Sequence, residues 1–168
     1  MPSAGNRVSQ FWLIVALVVV IDRITKIVAE AELAGDRMIH VIGDAVRLVL
    51  VYNPGAAFGM HVGPWSRWVF MVIAIGAVWL LHRMFREAPP SDRVRRWSVS
   101  LVAGGAAGNL IDRIISRAGV VDFIDVGINQ ATRWPTFNVA DMAVSCGAVV
   151  LAWSLWREDS RRSAQPPA

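Results

Sequence analysis

Four stretches of the chain are apolar over roughly the 20 residues that a helix needs to cross a bilayer. They run from about Phe11 to Val28, Trp65 to Phe85, Trp97 to Ile115 and Val139 to Trp156. Polar residues gather between these stretches and do not alternate within them, so the pattern predicts an all-α integral membrane protein, one domain over residues 1–168 with four transmembrane helices. The stretch from Met38 to Tyr52 departs from that pattern. It is rich in β-branched residues and holds a turn candidate at Gly43-Asp44, which predicts a small strand pair between the first two helices, lying on the outer membrane surface. Ala88-Pro89-Pro90-Ser91-Asp92 reads as a tight link between the second and third helices. The tail from about 160 to 168, closing on Gln165-Pro166-Pro167-Ala168, reads as disordered. No internal repeat is present, so a transporter built from inverted repeats gains no support.

Composition sharpens this reading. At 55% hydrophobic and 18% charged residues over 168 positions, the chain is too apolar for an ordinary soluble domain. Its net charge of +4 could suggest nucleic-acid binding, but the basic residues are placed as topology signals. Arg7 precedes the first apolar stretch, Arg83, Arg86, Arg93, Arg95 and Arg96 fill the link between the second and third, and Arg157, Arg161 and Arg162 follow the fourth. The opposite side carries only Arg37, Arg47, Arg117 and Arg133, so both termini are expected in the cytoplasm and no nucleic-acid partner is expected. Trp12, Trp65, Trp97, Trp134 and Trp156 stand near segment ends, as an interfacial belt would place them. The start of the chain imitates a cleavable signal peptide, with Ala29-Glu30-Ala31 as the mock cleavage site. Asp22, Arg23 and Lys26 interrupt the region before that site, so the first stretch is read as a retained helix. The single cysteine, Cys146, is expected to pack as a small buried hydrophobe.

Carboxylates in such a chain are costly at membrane depth, which makes each one a candidate for function. Asp22 and Lys26, four apart, share a helix face and can form a structural ion pair that shapes a site without doing chemistry. Asn53-Pro54-Gly55-Ala56-Ala57-Phe58-Gly59 is either a loop leading into the second helix or an extended segment on which Asn53 presents its amide to a substrate backbone. In Gly104 to Arg113, Gly104 and Gly108 form a small-xxx-small packing face, and Asn109, Asp112 and Arg113 follow one turn on. Arg113 could hold a carboxylate through two parallel hydrogen bonds, that of Asp112, Asp22 or a catalytic residue. Asp122, in the second outer loop, and Asp141, about one turn into the fourth helix on the face of Asn138, can meet at the outer interface. Two carboxylates sharing a site raise one pKa and can hold one proton between them, which supplies a base for water and an acid for a leaving amide nitrogen. Asp125, three residues from Asp122, is the main decoy.

Taken in order, Asp22-Arg23-Ile24-Thr25-Lys26, Asn53 to Gly59, Gly104 to Arg113, Val121-Asp122-Phe123 and Phe137-Asn138-Val139-Ala140-Asp141 resemble the blocks of the lipoprotein signal peptidase family, also called signal peptidase II. The resemblance implies a multi-pass aspartic endopeptidase of the bacterial inner membrane, active on the periplasmic side. It would remove prolipoprotein signal peptides just before a diacylglyceryl-modified cysteine. It implies Asp122 and Asp141 as the catalytic pair, Asn53, Asn109, Arg113 and Asn138 lining the site, and Asp22, Lys26 and Asp112 in support. The partners would be the lipid-modified substrate and membrane lipid, with the enzyme a monomer and no metal or cofactor. Two readings from other classes are a small proton-coupled transporter subunit and a metal-dependent lipid head-group transferase. The lack of a tight multi-aspartate motif weighs against the latter.

Overall fold

The computed structural model describes residues 4–55 and 60–163. Four helices, α1 (Ala4–Glu32), α2 (Ser66–Glu87), α3 (Arg93–Ile115) and α4 (Val139–Ser163), stand with three strands, β1 (Ile39–Ile42), β2 (Val46–Asn53) and β3 (Val120–Val126). α3 is the central helix and packs on the other three. Its glycines let them approach. Gly104 meets the Val18 side chain and Gly108 the Asp22 carboxylate of α1, so the small residues at i and i+4 receive a matching i, i+4 pair. One position along, Gly105 lies against the main-chain oxygen of Ala140, leaving no room for a Cβ between α3 and α4.

The helices are inside out by the standards of a water-soluble protein. Leu13, Leu17, Val72 and Val149 point outward, whereas Asp22, Lys26, Asp112, Asp122 and Asn138 are buried. Among the described residues Gly63–Glu87 and Val139–Ser160 are long and apolar enough to cross a membrane. One apolar core of Phe11, Val15, Leu81, Phe85, Val99 and Ala103 closes one end of the bundle. At the other end, Ala29 and Leu33 of α1 pack with Phe123 of β3, which ties the sheet to the helices.

The sheet corrects the predicted strand pair. β1 and β2 form the expected hairpin around Gly43, whose φ of +49° suits glycine at the turn. A third strand, β3, comes from between α3 and α4 and pairs antiparallel with β2, so the β element is not confined to the link between the first two helices. Asp122 therefore lies on a strand and not in a loop. The predicted tail is also corrected, because α4 continues to Ser163; residues 164–168 fall outside the described residues, as do Ala56, Ala57, Phe58 and Gly59 of the Asn53–Gly59 block.

Candidate active site

The site forms where the start of α4, the end of α3, β3 and α1 converge. Asn138 caps the start of α4: its side-chain Oδ1 accepts from the Asp141 backbone N–H at 2.9 Å while Asp141 Oδ2 accepts from the Asn138 N–H at 3.2 Å. This reciprocal pair is a capping box; it satisfies two donors that a helix start leaves orphaned and fixes the Asp141 carboxylate in the first turn. A cap of this kind is worth about 1 kcal/mol. Asn138 thus stands just before the helix, and its Nδ2 donates to Asp122 Oδ1 at 2.7 Å. One asparagine ties both aspartates.

The partners of each carboxylate follow. Asn53, opposite Val120 at the end of β2, donates from Nδ2 to Asp122 Oδ2 at 3.1 Å, and its Oδ1 accepts the Gly55 N–H at 3.0 Å. Asn109 donates from Nδ2 to Asp141 Oδ1 at 2.8 Å. Its amide cannot be turned round, because Oδ1 already accepts from Lys26 Nζ at 3.0 Å and Asn138 Nδ2 at 3.1 Å. Both aspartates thereby receive amide donors on each oxygen. Asp122, on β3, has its pKa pushed up to about 6, chiefly by burial and next by the Asp141 charge, against the lowering effect of the Asn53 and Asn138 hydrogen bonds.

Behind this pair lies a charged cluster. Lys26 Nζ sits 2.8 Å from Asp22 Oδ2 and 2.7 Å from Asp112 Oδ2, with all three side chains buried. Asp112 Oδ1 also accepts from Arg23 at 3.3 Å and Asp112 Oδ2 from the Val121 N–H at 3.2 Å, so the cluster reaches β3 one residue from Asp122. Asp22 Oδ1 accepts the Ala140 N–H at 2.9 Å, which brings it to the α4 start beside Asp141. Arg113 departs from the sequence reading of a bidentate carboxylate clamp. Its guanidinium donates to main-chain oxygens, that of Asn109 at 3.1 Å and that of Gly55 at 2.7 Å, and lies over the Phe70 ring. It holds the segment after Asn53 against α3.

Asp125 is held elsewhere. Arg47 Nη2 reaches it at 2.7 Å and Arg133 Nε at 2.6 Å, joining β2, β3 and the loop before α4. Burial raises its pKa, but the hydrogen bonds and charges of Arg133 and Arg47 outweigh that and hold it below the ordinary carboxylate value. No sequence signal marks this triad, because the register that sets Arg47 opposite Asp125 is fixed only in the sheet.

A groove of about 690 Å³ opens onto Asp122 and Asp141. Asn53, Asn109 and Arg113 line its polar end, while Phe70, Ala74 and Ala77 of α2 and Met142 of α4 make an apolar wall. Cys146 corrects the expectation of a buried thiol, since it is exposed on that wall. No cluster of three or more potential metal ligands occurs among the described residues.

Residues 14–157 match the family model described as signal peptidase (SPase) II. The chain is 39% identical over 150 residues to the lipoprotein signal peptidase of Treponema denticola, covering 86% of this chain and 87% of that one. With the lipoprotein signal peptidase of Moorella thermoacetica it shares 36% identity over 157 residues, 93% of this chain and 99% of that one. A bacterial membrane enzyme solved by the in meso method superposes with a TM-score of 0.82 at 27% identity, covering 95% of both chains.

Proposed function

The chain belongs to the signal peptidase II family and is an aspartic endopeptidase, and from that premise we propose that it removes the signal peptide of lipid-modified prolipoproteins immediately before the diacylglyceryl cysteine, with Asp122 and Asp141 activating water. The observation that carries this reading is the Asn138 bridge, which binds Asp122 through its side chain and Asp141 through its backbone at the mouth of the groove. One proton serves the pair. One member donates it while the other accepts the proton of the attacking water, and the raised pKa of Asp122, about 6, favours Asp122 as the donor. The donated proton passes to the leaving amide nitrogen. Asn53, Asn109, Arg113 and Asn138 hold the groove's polar end in place, and Asp22, Lys26 and Asp112 fix the helices on which they sit.

A lipidated cysteine keeps its cleavage point at the bilayer interface, so the protease needs carboxylates at that depth and a groove open to lipid. The apolar wall of α2 and α4 beside the aspartates supplies such a groove. The proposal places this single domain in the bacterial inner membrane as a monomer with four spanning helices, both termini cytoplasmic and the sheet and aspartates on the periplasmic side. The outward apolar face of α1 supports a spanning role despite its charged cluster. Purified protein incubated with a lipidated prolipoprotein should give a size shift that survives chelators. Uncut substrate, with transport activity in vesicles instead, would favour the transporter reading. For the topology, a variant with Cys146 replaced and Ser91→Cys added should resist labelling from the periplasm in intact cells, and labelling there would overturn the orientation.

A further inference from the structure

Arg113 stands in a wall between two cavities. On the far side from the aspartates lies a second pocket of about 520 Å³, formed by the outer ends of α2 and α3 and the segment leading into α2. Arg67, Arg113, Arg117 and His61 line it, and no aspartate or glutamate does. Asp141, Asp112 and Asp122 act on the Arg113 charge from its other side, whereas Arg67 and Arg117 have no carboxylate partner among the described residues. Arg67 donates from Nε to the Arg113 carbonyl at 2.6 Å and from Nη2 to the Ile114 carbonyl at 2.9 Å, which caps the α3 C-terminus, leaving Nη1 uncommitted among the described residues. Arg117 is exposed and has no hydrogen-bond or ion-pair partner among them. His61 accepts the Gly63 N–H on Nδ1 at 2.8 Å, so in its neutral form the proton is on Nε2 and that nitrogen is a donor. Exposed Trp65, Trp68, Ile114 and Ile115 flank the opening. A donor-rich, cation-rich pocket beside an apolar and tryptophan-bearing rim matches a ligand with an anionic head and hydrocarbon tails.

We propose that this pocket binds the phosphodiester of one anionic phospholipid of the outer leaflet, with Arg67 and Arg117 on the phosphate and the acyl chains running down the exposed faces of α2 and α3. The proposal rests on the outward placement of this end of the bundle given above. The shared chemistry with free phosphate is the phosphate oxygens; the apolar rim favours the lipid. A lipid held there would sit behind Arg113, against the wall of the catalytic groove.

The test is native mass spectrometry of the full chain released from nanodiscs of equal phosphatidylglycerol and phosphatidylcholine. Wild type should retain one phosphatidylglycerol in preference to phosphatidylcholine. Arg117→Gln should weaken that retention about fivefold, and the Arg67→Gln/Arg117→Gln double variant roughly 25-fold, if each guanidinium contributes as a charge near a lipid surface does and the two add. Arg117→Lys should keep most of it. Equal retention of both lipids, or unchanged retention in Arg117→Gln, overturns the proposal. Displacement of the lipid by excess inorganic phosphate that itself stays bound assigns the pocket to a free anion and overturns the lipid occupant. Because Arg117 has no hydrogen-bond or ion-pair partner among the described residues, its replacement leaves a folded protein to measure. Lipid retention is read without substrate and so does not depend on the peptidase reading, whose failure would show only in the separate prolipoprotein cleavage assay.

Discussion

Asp122 and Asp125 lie three residues apart on one strand, both are buried, and their surroundings push them in opposite directions. Asp122 has two neutral amides on its oxygens and a second carboxylate nearby, so burial wins and its pKa rises to about 6. Asp125 faces the guanidiniums of Arg47 and Arg133, and they overcome the cost of burial and hold it ionised. What separates the carboxylate proposed to react from the structural one is the charge of its hydrogen-bond donors. Amides orient without neutralising, so the proton stays available for transfer; guanidiniums neutralise and lock.

The comparison breaks most directly at the aspartates themselves. Asp122→Asn and Asp141→Asn should each fold and bind lipidated prolipoprotein yet cleave it near background, a loss on the order of 10³-fold or more, because an amide neither takes a proton from water nor delivers one. Asp125→Asn should keep much of its activity in the same cleavage assay. Near wild-type cleavage by Asp122→Asn would return both aspartates to structural roles.

Lys26→Met should cost about 3–5 kcal/mol of stability, because it leaves Asp22 buried without its counter-charge and Asp112 with only the longer contact to Arg23. Thermal unfolding in detergent measures this, and a loss under 1 kcal/mol would mean that the cluster is hydrated and weakly coupled. Asn138→Ala should lower the rate on the order of 10²-fold while binding persists, since the alanine removes a positioned donor but no acid or base. Loss of binding together with loss of folded protein would assign Asn138 to the helix cap alone.

The smallest effect is in pH. Asp122 has its folded pKa above the unfolded value of 3.8, so the native state holds the extra proton and its contribution to stability falls as pH rises from about 4 to 6. Asp125 has its folded pKa below 3.8, so its contribution is present above that pH and is lost on acidification. Melting profiles of Asp122→Asn and Asp125→Asn against wild type should therefore differ with opposite slopes, the first gaining on wild type as pH rises through about 6 and the second gaining as pH falls below 4. Slopes of the same sign would erase the distinction.

Much of this was legible in the chain, and the failures have physical causes. The four apolar stretches each map onto one of the four helices, of which Gly63–Glu87 and Val139–Ser160 are long and apolar enough to cross a membrane among the described residues. β3 escaped because Val120 to Val126 is buried along nearly its whole length, so its aspartates fall at spacing three and no alternation with a solvent face appears. Cys146 was misplaced because an apolar neighbourhood in a membrane helix says nothing about which side faces protein. The capping box is readable in the chain as Asn-x-x-Asp before an apolar run. The Arg47–Asp125–Arg133 triad spans 78 positions between Arg47 and Asp125, a pairing that needs the sheet register to be known.

The hydrogen bond from the Ala140 N–H to Asp22 joins residues 118 positions apart. Asp22 is made early and Ala140 late, and the same short stretch around Ala140 brings both Asn138 and Asp141. During synthesis, α1 and Asp122 are therefore in place before the pair can exist, and the arrival of the last helix completes ion cluster, cap and dyad in one step.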